Sequence, residues 1–292
     1  MKKRQILFIS VFLLPTGLLF LFIFGIPIAM VIVTSFTEWT IVKSPQFIGI
    51  NNYIFLIVES APFGSAIFNT ILWMLIAGTL HVIVGIAVAI VLERRPVGWK
   101  AIRTIYFIPN ILPGITLAYI FTLLLNPEIG LVNSIIRFIG FKNFYQNWFG
   151  DTNTAFIAVT SIWLFYAGLL TILVMAEYES IPESLFESAR IDGASSLQID
   201  VFITLPMLRN IIGTCVIISM LAMLKEFAFI WATTKGGPGY STYNLSLYLY
   251  KLSANYHNFG LANTIGTIQI SIGITVFFLI SKLFKIGKSF IS

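Results

Sequence analysis

Five stretches of this chain carry no Asp, Glu, Lys or Arg: residues 5–37, 60–92, 104–127, 152–176 and 252–281. Each is long enough to hold a membrane-spanning helix. The hydrocarbon core is ~30 Å thick and a helical residue rises ~1.5 Å, so ~20 apolar residues suffice. A sixth candidate, near 211–234, is interrupted only by Lys225 and Glu226. The expected spans are about 6–35, 69–92, 104–125, 154–176, 211–233 and 262–283, in one domain of 292 residues. The fold class expected is therefore an all-α membrane protein with six transmembrane helices.

Composition agrees. Hydrophobic residues make up 58% of the chain and charged residues 10%, against ~25% charged in a soluble domain. That balance excludes a disordered protein, a nucleic-acid-binding domain and a small disulfide scaffold. The lone Cys215 forms neither an internal disulfide nor a cysteine metal site. The first run follows Lys2, Lys3 and Arg4 but far outlasts the ~7–15 apolar residues of a signal peptide. It reads as a retained helix.

The basic residues set the expected orientation. The N-terminus, the 93–103 loop, the 177–210 loop and the tail (Lys282, Lys285, Lys288) together hold twelve Lys and Arg. The opposite loops hold five: Lys43, Arg137, Lys142, Lys235 and Lys251. Cytoplasmic loops carry the Lys/Arg excess, so both termini are expected in the cytoplasm. The net charge of +6 is then a topology signal. The two long external loops, 36–68 and 126–153, are rich in aromatics and fit either the membrane interface or a docking surface.

The 177–210 loop is the most informative segment. Pro182 suits a first helical turn, where its missing N–H has no partner to lose. Glu183 adds negative charge at the positive helix end. Leu185, Phe186 and Ala189 give a short apolar face, and Gly193 suits a helix stop with a left-handed backbone. Ser195 or Ser196 can cap a second helix with the stripe Leu197, Val201 and Leu205, which Pro206 ends or kinks. The expectation is two short helices around a glycine corner.

Glu187-Ser-Ala-Arg-Ile-Asp-Gly193, nine further residues and Ile203-Thr-Leu-Pro206 resemble the EAA loop of binding-protein-dependent ABC importers. That pattern is E-A-A, three residues, G, nine residues, I-x-L-P. Every spacing matches, with Ser188 in place of the middle Ala. Further stretches resemble the sugar-importer branch, in particular its MalF-like or UgpA-like first permease. They are Phe47-Ile-Gly-Ile-Asn-Asn-Tyr53, Asn69-Thr70, Pro109 with Pro113, Gly130-Leu-Val-Asn133 and Gly236-Gly-Pro238.

The resemblance implies the type I importer permease fold and a coupling helix seated in a cleft of an ATPase subunit. Its contact residues would be Leu185, Phe186, Glu187, Ala189, Asp192, Gly193 and Ala194. ATP and Mg would be bound by that partner and no cofactor by this chain. The implied partners are a second, MalG-like permease, two ATP-binding cassette subunits and an extracellular or periplasmic solute-binding protein. The expected location is a bacterial or archaeal cell (inner) membrane, with lipid around the spans and no nucleic acid.

For the substrate path the resemblance points to Asn110 and Gly114 around the proline bend of span three, and to Ser219, Ala222, Met223 and Glu226 on span five. Ser219, Met223, Glu226 and Ile230 fall at i, i+4, i+7 and i+11, which is one helix face. A charge inside a span is costly and marks function by default, and a carboxylate accepts hydrogen bonds from sugar hydroxyls. Lys225 and Glu226 also fit a charged pair reaching back to water near the external end. Asn110 fits an interhelix hydrogen bond as well as a substrate contact. His81, Trp73, Trp163 and Trp231 read as packing or interface residues, and Glu177, Glu179 and Glu183 as a solvated face.

No Gly-x-x-x-x-Gly-Lys-Ser/Thr phosphate loop is present, so ATP hydrolysis would belong to a separate chain. Two other classes compete. An ion-coupled secondary carrier would show repeats and buried ionisable relays. A membrane enzyme would cluster Asp, Glu or His on one face.

Overall fold

The computed structural model describes the backbone of residues 2–287 and the side chains from residue 11 to 287. Lys288 and the side chains of Lys2, Lys3 and Arg4, all used in the orientation count, lie outside the described residues. The elements that matter here are α1 (a helix starting at Lys2, with apolar part Val11–Thr34), β1 (Thr37–Glu38), β2 (Gln46–Phe47) and α2 (Asn51–Val58). They continue with α3 (Ala61–Glu93), α4 (Trp99–Ile111), α5 (Gly114–Leu124), α6 (Leu131–Phe138), α7 (Ala155–Leu164) and α8 (Gly168–Tyr178). The last are α9 (Glu183–Ile191), α10 (Ser196–Met207), α11 (Arg209–Leu224), α12 (Ala228–Ala232), α13 (Leu245–Tyr250) and α14 (Phe259–Phe284).

Among the described residues, four stretches are long and apolar enough to cross a membrane: Val11–Thr34, α3, the α7–α8 stretch Ala155–Tyr178, and α14. Two bent pairs raise the number to six: α4 with α5, turned by 106°, and α10 with α11, turned by 72°. The first break has a local cause. Leu112 precedes Pro113 and takes an extended conformation (φ −76, ψ 138), because a proline ring excludes the helical region for the residue before it. Pro109 stays inside α4.

The fifth span departs from expectation. Helix α11 stops at Leu224, and a turn at Lys225–Phe227 leads to the short α12. The carboxylate of Glu226 accepts the backbone N–H of Phe229 at 2.9 Å, so it caps the next turn and does not continue the helix. Asn244 Nδ2 donates to the Glu226 carbonyl at 2.6 Å. The single face Ser219–Met223–Glu226–Ile230 therefore does not exist. Its helical spacing ends at Met223.

The chain forms two compact units. One joins the residues up to Phe63 with Tyr248–Ser271, the other joins Gly64–Leu247 with the residues from Ile272 on. In the first, the antiparallel pair β1–β2 is held beside α2 by Asn52, whose amide donates to the Ser35 and Thr37 carbonyls at 2.9 Å each. Tyr53 shares a hydrogen bond of 2.8 Å with Ser35, and Thr264 donates to the Ser35 carbonyl at 3.0 Å. Gly49 at φ +62 makes the turn into α2, a conformation other side chains adopt only at a cost.

In the second unit, α3 packs along α8. A Cβ on Gly85 would stand 3.0 Å from Leu170 Cβ and 3.3 Å from Ala167 Cβ, so a glycine permits the approach. Thr171 Oγ donates to the Gly85 carbonyl at 3.1 Å across the same contact. Trp73 stacks on Phe156, with ring centroids 4.6 Å apart, and its Nε1 donates to Thr160 at 2.8 Å. Asn69 donates to the carbonyls of Tyr240, Ser241 and Tyr243, at 2.9 to 3.2 Å, and Thr70 Oγ accepts the Leu245 N–H at 3.0 Å. Asn133 fastens α6 by donating to the Pro127 and Gln146 carbonyls and accepting from Trp148 Nε1 at 2.7 Å. Among the sequence stretches singled out above, Asn52, Asn69 and Asn133 thus hold loops in place.

Candidate coupling corner and substrate path

Helix α9 begins after Pro182, which stands just outside the helix with an extended ψ of 127. It ends in a two-bond stop: the Ala194 N–H reaches the Ala189 carbonyl at 2.9 Å and the Gly193 N–H reaches the Arg190 carbonyl at 3.1 Å. This closing pattern needs a left-handed residue, and Gly193 supplies it at φ +78. Two residues later Ser195 opens α10. Its hydroxyl accepts the Gln198 N–H at 3.4 Å, and Gln198 Oε1 accepts the Ser195 N–H at 2.8 Å, a reciprocal cap. The two helices and the glycine corner expected from sequence are thus present, with Ser195 as the capping serine. Open space surrounds Gly193, so its role is conformational.

The side chains sort into two sets. Glu187, Asp192 and Leu185 are exposed, and Ala189 and Ala194 are half-buried. Phe186 points inward. It is 4% exposed and stacks on Tyr178, ring centroids 5.6 Å apart. It anchors α9 to the end of α8 in its own chain, where the sequence reading had it facing a partner. The stripe Leu197–Val201 faces outward, with Leu197 72% exposed. Ile191 is 85% exposed, and Phe202 is exposed too. Neither had been singled out, because a helical apolar pattern reports a buried face without naming what buries it. The corner therefore presents an apolar surface with carboxylates from Glu187 and Asp192.

The substrate-path residues are dispersed in their surroundings. Asn110 is exposed on a groove of about 540 Å³, lined by Arg103, Thr104, Phe107, Ile111, Leu169 and Ile172 as well. Its Oδ1 accepts the Gly168 N–H at 3.2 Å, while Tyr106, one turn earlier, accepts the Ala167 N–H at 3.2 Å. Together they satisfy two N–H groups at the start of α8, which have no partner inside that helix. Tyr106 escaped the sequence reading, since nothing in the pattern ties it to residue 167. Gly114 opens α5 where a Cβ would meet Phe229 at 3.2 Å. It allows α5 to approach α12.

Ser219 is buried and engaged. Its hydroxyl donates to the Ala77 carbonyl and meets His81 Nδ1, both at 2.9 Å. Met223 is buried as well. Ala222 is half-buried, and Glu226 is half-buried with its carboxylate on the Phe229 N–H. Of the span-five set, Ala222 and Glu226 are the two that remain partly exposed.

Residues 81–285 match the family model described as binding-protein-dependent transport system inner membrane component. The chain is 31% identical over 281 residues to the probable ABC transporter permease protein YurN of Bacillus subtilis (strain 168), covering 95% of this chain and 96% of that protein. It is 32% identical over 223 residues to the trehalose/maltose transport system permease protein MalF of Thermococcus litoralis, covering 76% and 73%. Its fold superposes with a TM-score of 0.83 on a chain of a bacterial ABC transporter involved in the import of the acidic polysaccharide alginate, with 98% of both chains covered and 24% identity.

Proposed function

Because the chain belongs to the family of binding-protein-dependent transport system inner membrane components, we propose that it is a permease subunit of an ATP-driven ABC importer for a carbohydrate, either a mono- to oligosaccharide or a polyol phosphate. It is a multi-pass protein of a bacterial or archaeal membrane, and we place it in the cell (inner) membrane with both termini cytoplasmic. It forms half of the translocation pathway as one permease domain. A second, MalG-like permease forms the other half, two ATP-binding cassette subunits bind ATP and Mg, and an external solute-binding protein delivers the sugar. This chain carries no catalytic site in that scheme. Family membership disfavours the secondary-carrier and membrane-enzyme alternatives.

The observation that carries the reading is the corner at Gly193. An exposed apolar surface with two carboxylates, stiffened by a glycine stop on one side and a reciprocal cap on the other, suits a cleft on an ATPase. The trehalose/maltose relative supports the substrate class. For the path, Asn110, Gly114, Ala222 and Glu226 face the sugar in our reading, with Ser219 and Met223 packed behind them. Within that class Glu226 favours the neutral saccharides over the polyol phosphates, since like charges repel in a low dielectric.

The test is the double variant Gly193→Val/Glu187→Lys. Valine at φ +78 crowds its own backbone, and lysine reverses the exposed charge. Neither residue lies in a spanning helix, so the chain is expected to insert at normal levels. ATPase copurification is expected to fall, or hydrolysis to proceed without uptake. Wild-type association together with wild-type uptake would remove the support for this reading.

A further inference from the structure

Each arm of the corner is tied to the membrane helices by a contact outside its own chain connection. Helix α9 is held by the Phe186–Tyr178 stack at the end of α8. Helix α10 is held by an ion pair between Asp200 and Arg94, the residue that caps the end of α3. Asp200 opens the π-helical turn Asp200–Thr204 within α10, and its side chain is only 16% exposed. Arg94 stands where the negative end of the α3 dipole favours a cation. Both ties land on one packed pair, because α3 and α8 meet at Gly85 and share the Thr171–Gly85 hydrogen bond.

The covalent route onward is different. After Met207 the chain turns by 72° into α11. A push on the corner along α10 meets that bend before it reaches α11, whereas the ion pair offers a direct path to α3. Exposed ion pairs contribute little to stability. This one has an enclosed carboxylate and joins two elements that the sequence separates by more than a hundred residues, so its effect is on position.

Resting on the importer reading, we infer that Arg94 and Asp200 are positioning residues that make the coupling corner move as one body with α3 and α8, with Leu208 as the hinge toward α11. The pair passes motion from the ATPase to α3 and touches neither nucleotide nor sugar.

The experiment uses the assembled importer with spin labels at Val97→Cys and Met207→Cys, two exposed sites on either side of the contact and outside the ATPase-facing surface, on a Cys215→Ser background. In the otherwise unaltered chain the label distance is expected to be a single narrow distribution, identical without nucleotide and after trapping with ATP and vanadate. Arg94→Glu, and more mildly Asp200→Asn, should broaden it roughly twofold and make it shift on trapping. Arg94→Glu/Asp200→Lys should restore the narrow, nucleotide-independent distance, a rescue that a general loss of folding does not produce. A shift on trapping in the unaltered chain, no change in the single variants, or no recovery in the double reversal would each overturn the proposal. If no ATPase copurifies even with the unaltered chain, the importer reading itself falls and the coupling role with it. Unlike those outcomes, that result leaves the nucleotide-free label distances of the variants unaffected.

Discussion

The hydroxyl of Ser219 has one proton, and the Ala77 carbonyl takes it. His81 Nδ1 lies 2.9 Å from the same oxygen, so the hydroxyl joins both groups. A buried serine that ties α3 to α11 in this way is part of the packing. Ser219→Ala is expected to destabilise the purified chain by about 1–3 kcal/mol, the range for leaving a buried polar group unmatched, read as a lower thermal midpoint in detergent. Uptake per folded complex should be unchanged, and a selective loss of uptake at normal stability would return Ser219 to the sugar path. Glu226 behaves differently because its carboxylate has a second oxygen beyond the one on the Phe229 N–H. Glu226→Ala removes the cap and should cost about 0.5–2 kcal/mol, with reduced uptake. Glu226→Gln retains an acceptor for the cap, so its thermal midpoint should hold while the order of preference across a sugar panel changes. An unaltered preference would leave Glu226 with the capping role alone.

Among elements, straight helices and their breaks differed in how far the sequence disclosed them. Helix α14 was expected at 262–283 and runs Phe259–Phe284, because a long run without charge has no competing way to satisfy its backbone in lipid. The bend at Pro113 was legible too, as a proline restricts its predecessor wherever it stands. The stop at Leu224 was not. Lys225 and Glu226 were visible as charges, but whether a charge interrupts a helix or rides on it depends on partners such as Asn244, eighteen residues away. The corner at Gly193 was readable because every bond that builds it is local, whereas the inward turn of Phe186 depended on Tyr178. The α3–α8 contact was likewise hidden, since Gly85 looks like any glycine in an apolar run. Its consequence is testable. Gly85→Leu inserts a side chain where even a Cβ comes within 3.0 Å of Leu170. Overpacking of this kind costs about 1–3 kcal/mol, and it should also part Thr171 from the Gly85 carbonyl. The expected readout is a lower thermal midpoint and a weaker yield of assembled complex, with Gly85→Ala much milder. Equal stability of the leucine variant would mean that the two helices are not in contact at this point.

For the whole molecule, the orientation rests on charge alone. Twelve basic residues on one side against five on the other is a strong asymmetry. Two positions separate the possibilities. Asn143 is an exposed residue of the loop between α6 and α7, and Ser196 is an exposed residue at the start of α10. If the even number of spans and the basic excess are read correctly, Asn143→Cys reacts with a membrane-impermeant maleimide added to intact cells and Ser196→Cys reacts only after the membrane is opened. Cys215 is fully buried, so it should stay silent in both assays and the native chain can serve as the background. Ser196 carries a further condition. It adjoins the capping serine and the proposed ATPase-facing surface, so an assembled complex should protect a cysteine there from labelling, and removal of the ATPase should expose it. Asn143 should be indifferent to the ATPase. Labelling of both positions from the same side would overturn the six-span arrangement. Labelling of Ser196→Cys from outside and Asn143→Cys from inside would preserve the spans and invert the protein, which would put the glycine corner on the side without ATP and end its claim to a coupling role.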